Sequence, residues 1–292
     1  MTLTDIRNQA HLSGEDVKKL NFIKDSDRFV FRKFYRSGLR SHIFEVVRTG
    51  EVHQESAGVV KDGIRIFPRA VPVKMFRIFR SRFTSKEDIF FEIKRYKTLL
   101  DHLGPEFIAR SEEFIADYRD GGTSRLLLCG LQEYVAGEIL DPWRLTGKEN
   151  LRALLSSMPH ESDLETRLDC AVSRIETFVK RIRSLMAASG RIPDLAGIGN
   201  LILTPEGGIK LVDINNIVKI RMNAYIPMDD KGYPACDVSI QVLHILETKL
   251  LGKDLSDSDP LFKHFLQPRR LKQVKSIERE FYRTLNNPKN AG

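Results

Sequence analysis

Between Arg191 and Ile217 the chain reads RIPDLAGIGNLILTPEGGIKLVDINNI, and this stretch limits the fold more than any other. Two short apolar runs, Leu201–Leu203 and Ile209–Val212, flank the turn sequence TPEGG. Glycine and proline between apolar runs mark a β-hairpin. Asp194 and Asn200 precede the first strand and Asp213 follows the second. The hairpin therefore returns Asp213 to the sheet end where Asn200 sits, with Asp194 on the adjoining loop. Two carboxylates and an amide there form an all-oxygen set of the kind hard Mg²⁺ accepts, usually together with substrate phosphates. The same residue types also build ordinary turns, because Asp and Asn side chains bond to their own backbone. Taken alone, the stretch leaves both readings open.

The rest of the chain decides how much protein surrounds that hairpin. With 292 residues, 41% hydrophobic and 29% charged, it has the composition of a soluble globular protein with one large domain or two lobes. Cys129, Cys170 and Cys236 are scattered, odd in number and without a CxxC pair. That pattern argues against a disulfide framework or zinc knuckle and for a reducing, cytoplasmic compartment. The opening sequence MTLTDIRNQAHLSGEDVKKL is polar and lacks the apolar segment of a signal peptide. No run approaches the ~20 apolar residues of a membrane span. A formal charge of +8 favours anionic partners such as nucleotides, nucleic acid or acidic lipid. The basic residues are spread along the chain and no nucleic-acid motif occurs, so nucleic acid is set aside.

Residues 1–41 read as a basic N-terminal extension. In it Ser13 and Asp16 form a capping box, and RFVFRKFYRSGLR carries Arg28, Arg32, Lys33, Arg36 and Arg40 as a strand with solvated long side chains. From His42 to Phe76 the pattern is β-like, with Asp62-Gly63 as a hairpin turn. Gly50 and Gly58 bracket a flexible loop that is either a cover for phosphates or an ordinary hairpin connection. Ser85 and Asp88 cap a helix whose apolar residues Ile89, Ile93, Tyr96, Leu100 and Leu103 share one face, and Gly104-Pro105 ends it. EFIARSEEFI and SRLLLCGLQEYV read as strands, which completes five strands and one helix over residues 42–135. Residues 138–163 look polar and irregular. Leu168, Val172, Ile175, Val179, Ile182 and Met186 then give the clearest helical stripe, stopped by Gly190, and DVSIQVLHILETKLLG gives another, closed by Gly252. The tail from Lys253 is basic and partly helical.

The order of these pieces resembles the protein-kinase-like superfamily over roughly residues 42–255, and a set of motifs in order is more specific than any one of them. AVPVKMF is similar to the lysine strand, giving Lys74, and FEIKRYKTL to the helix with its partner Glu92, eighteen residues on. LQEYVAGEIL resembles the interlobe hinge. There Gln132 is the gatekeeper, Glu133 and Val135 offer backbone groups to adenine, and Glu138 adds to the nucleotide-binding set. PDLAGIGN resembles the catalytic loop, with Asp194 as base and Asn200 as metal ligand, and LVDIN resembles the metal-binding D-F-G segment through Asp213. CDVSIQVLHILETKLLG resembles the buried helix whose Asp237 ties down the catalytic-loop backbone.

The resemblance implies an α+β, two-lobed fold, a small β-rich N-lobe with one helix at 42–135 and a mostly helical C-lobe at 136–292. It implies an Mg²⁺/ATP phosphotransferase. In that scheme Lys74, held by Glu92, grips the α/β-phosphates, Gly50 and Gly58 border the covering loop, and Asp194 takes the acceptor hydroxyl's proton. The acceptor is a protein Ser/Thr or a sugar or other small molecule, and the basic extension would suit an acidic lipid or lipid-linked one. The sequence also departs from the family. H-R-D reads Ile192-Pro193-Asp194, D-F-G reads Asp213-Ile214-Asn215, and no A-P-E precedes Asp237. Residues 214–236 contain no Ser or Thr, which excludes activation by phosphorylation of such a residue there. These departures point to an atypical, bacterial-type kinase, with a pseudokinase scaffold as the alternative.

Overall fold

The computed structural model describes residues 5–9, 12–34, 40–120, 123–254 and 259–285, so Arg36 of the basic stretch lies outside the described residues. The chain is α+β and separates into two units, Met1–Lys94 with Arg110–Tyr134 and Arg95–Ala109 with Val135–Gly292.

The first unit is built on a sheet. Helix α1 (Gly14–Lys18) starts with the capping box read from the sequence: Asp16 N–H donates to Ser13 Oγ at 3.2 Å and Ser13 N–H to Asp16 Oδ2 at 2.9 Å. Strand β1 (Phe29–Lys33) pairs with β2 (Ser41–Arg48), and α2 (Thr49–Ala57) follows. Strands β3 (Val59–Lys61) and β4 (Ile64–Ile66) make a separate hairpin whose turn has Asp62 and Gly63 at positive φ. Then come β5 (Lys74–Phe79), α3 (Lys86–Leu103, which belongs to the second unit from Arg95 onward), β6 (Ser111–Asp120) and β7 (Thr123–Gln132). The main sheet is five-stranded and antiparallel, in the order β1-β2-β5-β7-β6.

Three expectations change here. The described residues before Ser41 are not a separate extension, because Ile6, Leu12, Val17, Leu20 and Phe31 are buried in one cluster with Phe44, Phe76, Ile78 and Leu127. Burying such side chains gains roughly 1.5–3 kcal/mol each, enough to hold the segment on the sheet. The Gly50–Gly58 segment is not a loop. Gly50 lies in the first turn of α2, and Gly58, at φ 75°, ends the helix by donating its N–H to Gln54 O at 2.9 Å. Glu55 on α2 pairs with Arg32 at 2.8 Å and accepts the Ala70 N–H at 3.0 Å, so the helix is tied to the strands beside it. Beyond its first turn a helix commits its backbone N–H groups to the i→i−4 ladder, so this segment does not offer the flexible run of free N–H groups expected of a covering loop. Finally, EFIARSEEFI is two pieces, since β6 begins only at Ser111.

The second unit is mostly helical. It holds β8 (Glu138–Ile139), α4 (Lys148–Ser157), α5 (Leu164–Ser189), β9 (Arg191–Pro193), β10 (Leu201–Leu203), β11 (Ile209–Leu211) and β12 (Ile217–Lys219). Helix α6 (Ala235–Ile245) runs into a π-turn at Leu246–Leu250, and α7 (Pro260–Phe265) and α8 (Pro268–Leu285) complete it. Residues 148–157, read as irregular, are helical and bury Leu151 and Leu155. The stripe on α5 is buried as expected, with Leu168, Ile175, Val179 and Ile182 in the core. Phe107–Ala109 joins this unit: Ala109 N–H donates to Leu211 O at 2.9 Å, and Leu211 N–H to Phe107 O at 2.8 Å. Phe107 packs at a tilt against Phe178 with centroids 5.8 Å apart, which explains why the expected strand breaks there.

Candidate functional site

In the second unit the hairpin forms as read. Strands β10 and β11 pair Leu201 with Leu211, and Val212 N–H donates to Asn200 O at 2.8 Å, which sets Asp213 one residue beyond Asn200's partner. A second, shorter ladder holds the other side of the site. Strand β9 pairs with β12, and Asp194 N–H continues that ladder by donating to Asn216 O at 2.8 Å. Asp194 is thus fixed at a strand end, at 8% exposure.

Its carboxylate is held twice. Oδ1 accepts the Ala196 N–H at 2.9 Å and Oδ2 accepts the Asn216 side-chain amide at 2.6 Å. Asn200 closes the loop from the far side, with Nδ2 donating to Asp194 O at 3.0 Å and its N–H to Gly197 O at 2.9 Å. A Cβ at Gly197 would stand 2.6 Å from Asn200 Oδ1, so a larger residue there would have to shift the Asn200 side chain. Leu195 N–H donates to Ser239 Oγ of α6 at 3.0 Å, so the loop backbone is pinned to a buried helix.

That last bond corrects the role expected of Asp237. Asp237 is fully buried but faces α8, where Arg270 grips it with Nε at 2.5 Å and Nη2 at 3.1 Å. Burial pushes the Asp237 carboxyl above the ordinary Asp range, against the pull of Arg270. The loop tie belongs to Ser239, two residues later on the helix.

In the first unit Lys74 opens β5, and its Nζ lies 3.5 Å from Glu112 Oε1 on β6. The expected partner, Glu92, is half-buried on α3. Gln132 is buried at the end of β7, opposite Met75 and Ser111. Glu133 N–H donates to Arg110 O at 2.7 Å, and its carboxylate accepts the Arg110 N–H at 3.2 Å. In the second unit Val135 is half-buried, and Glu138 is exposed on β8 opposite Leu203.

No family model matches the chain, and no curated protein matches it.

The chemistry therefore rests on the side chains themselves. Among the described residues no group of three or more His, Cys, Asp or Glu gathers to hold a metal ion. An Asn200–Asp213 pair fits a different kind of site. Mg²⁺ binds through one or two protein oxygens and completes its shell with water and phosphate oxygens. With Nδ2 of Asn200 committed to Asp194 O, the amide oxygen is the ligating atom that side chain has to offer. Among the described residues no helix is long and apolar enough to cross a membrane.

Two contributors escaped the sequence reading. Asn216 was visible only as the second Asn of DINN, and Ser239 as a polar residue in an otherwise apolar helix.

Proposed function

We propose that the chain is an Mg²⁺/ATP-dependent phosphotransferase of two-lobed, protein-kinase-like form, moving the γ-phosphate to a hydroxyl on a protein or small molecule. The observation that carries this reading is the Asp194 carboxylate, buried and oriented by Ala196 N–H and Asn216 while Asn200 is bonded to its backbone. Phosphoryl transfer asks a protein for positioning and charge neutralisation more than for covalent help. Asp194, oriented in this way, takes the acceptor hydroxyl's proton as the phosphate transfers. Asn200 and Asp213 would hold Mg²⁺, which would supply neutralisation of phosphate charge. The resemblance assigns Lys74 to the α/β-phosphates with Glu92 as its partner, whereas its Nζ lies 3.5 Å from Glu112 Oε1. Gln132, the Glu133 and Val135 backbone and Glu138 serve the base and sugar side of the nucleotide.

A pseudokinase scaffold is the second reading. Two observations favour it: α2 stands where a phosphate-covering loop was expected, and Lys74 pairs with the exposed Glu112. The nucleotide half of the proposal is tested by thermal melts of wild type and Asp213→Ala with and without ATP and Mg²⁺. At a hundredfold excess over Kd, binding adds about 2.7 kcal/mol, an upshift of a few degrees for a chain of this size. A Mg²⁺-dependent upshift lost in Asp213→Ala supports the site. No upshift in wild type overturns it.

A further inference from the structure

A second cluster of charge lies wholly within the first unit. A cavity of about 430 Å³ is lined by Asp5, Arg7, Asn8, Arg82 and Arg125. Three separate segments supply its guanidiniums: the turn at Ile6–Asn8, the residues after β5, and the start of β7. Three guanidiniums face one carboxylate, a surplus of two positive charges among the lining residues.

The arrangement is built rather than loose. Asp5 caps the turn by accepting the Arg7 N–H at 3.0 Å. It also holds the Arg7 side chain through Nε at 3.0 Å and Nη2 at 2.7 Å, and takes Arg125 Nη1 at 2.7 Å. One carboxylate therefore aims two guanidiniums at one place, and Arg7 is only 7% exposed. Arg80 joins the neighbourhood, its Nε donating to Arg7 O at 3.2 Å. The surrounding field is positive. The Asp5 carboxyl is held down to about 2, chiefly by its bonds to Arg7, so it stays ionised. Nearby His42 is kept neutral by burial first and by Arg80 and Lys33 next. Burying a guanidinium beside a half-share of a carboxylate leaves charge uncompensated, which is costly in a partly dry site. An anion carrying close to two negative charges would offset it. Arginine forks match tetrahedral oxyanions in a bidentate manner, and a phosphate monoester carries roughly −1.5 to −2 at neutral pH.

We propose that this cavity is a binding site for a phosphate dianion, with Arg7, Arg82 and Arg125 as its ligands. The chemistry is shared by free phosphate or a soluble phosphomonoester and by the head group of phosphatidic acid. The site does not depend on the phosphotransferase reading.

The test is calorimetric titration of inorganic phosphate into wild type, Arg82→Glu and the exposed Lys61→Ala at constant ionic strength, with chloride as control. It is paired with sedimentation of phosphatidylcholine vesicles with and without phosphatidic acid. Arg82 is exposed, so its replacement leaves the fold intact, which the melting temperature checks. Losing one charge-assisted bond should weaken binding by about tenfold or more, and Lys61→Ala should bind as wild type does. Saturable phosphate binding lost only in Arg82→Glu supports a soluble ligand. Phosphatidic-acid-dependent sedimentation lost in Arg82→Glu and displaced by phosphate supports the lipid. The proposal is overturned if neither probe binds above the chloride control, or if Arg82→Glu binds both as wild type does.

Discussion

Replacing Asp237 with Ala strands Arg270 inside the second unit. The two side chains are 0% and 5% exposed, and they share two bonds at 2.5 and 3.1 Å. Removing one partner of a buried ion pair costs about 3–5 kcal/mol, because the remaining charge has neither water nor a counter-ion. Arg270 keeps two other acceptors, Asn223 O at 2.7 Å and Tyr225 O at 3.3 Å, and lies over the Phe265 ring at 4.8 Å. Those contacts retain part of its solvation and put the expected loss near the lower end, about 3 kcal/mol. That is a large share of the roughly 5–15 kcal/mol by which domains are stable. The double variant Asp237→Leu/Arg270→Met removes both charges and strands only the two carbonyls, at about 1 kcal/mol each or a little more. It should therefore be more stable than Asp237→Ala, although it carries one more substitution. Urea denaturation of both variants, of Asp237→Leu and of Arg270→Met closes the cycle. A loss below about 1 kcal/mol in Asp237→Ala, or losses that simply add, would refute a buried pair whose members depend on each other.

Two further expectations follow from local geometry. His42 is 3% exposed, and its ring is held down to about 4 from an ordinary 6.5. The fold thus favours the neutral ring, so the unfolded chain takes up the proton first. The stability this contributes is full above pH 6.5 and is lost as pH falls toward 4, by about 3 kcal/mol at most. Urea midpoints should fall across that window in wild type and flatten in His42→Gln; equal slopes would contradict it. Gly197→Ala should displace the Asn200 side chain while costing little stability, since Gly197 is exposed. MgATP affinity measured by titration should drop about tenfold or more, and an unchanged affinity would remove Asn200 from the metal site.

What was legible in the sequence was local. The β10–β11 hairpin could be read because a Gly/Pro turn sits between two apolar runs, and the capping boxes at Ser13 and Ser85 could be read because both partners lie three residues apart. Helix α2 was hidden because it buries no residue and so shows no apolar stripe, while glycines at both ends imitate a loop. Strands β9 and β12 have three residues each, too few to display alternation, yet they fix Asp194 against Asn216. The partner of Asp237 was hidden by distance, since Arg270 comes 33 residues later in a basic helix whose other arginines look alike. Asp194, Asn200 and Asp213 were found through a short ordered motif. The bonds that orient Asp194 and pin its loop came from Ala196, Asn216 and Ser239, residue types that carry no signal until the chain is folded.

The most direct measurement is ATP turnover, with and without candidate hydroxyl acceptors, in wild type and Asp194→Asn, alongside MgATP affinity in both proteins. The phosphotransferase account expects wild type to turn over. Asp194→Asn should lose about 10²–10⁴ in rate, the usual worth of a positioned general base, while its MgATP affinity stays within a few-fold of wild type. Turnover in Asp194→Asn equal to wild type would contradict the role of Asp194. Tight MgATP binding with no turnover in either protein, on any acceptor, would leave a nucleotide-binding scaffold in place of an enzyme.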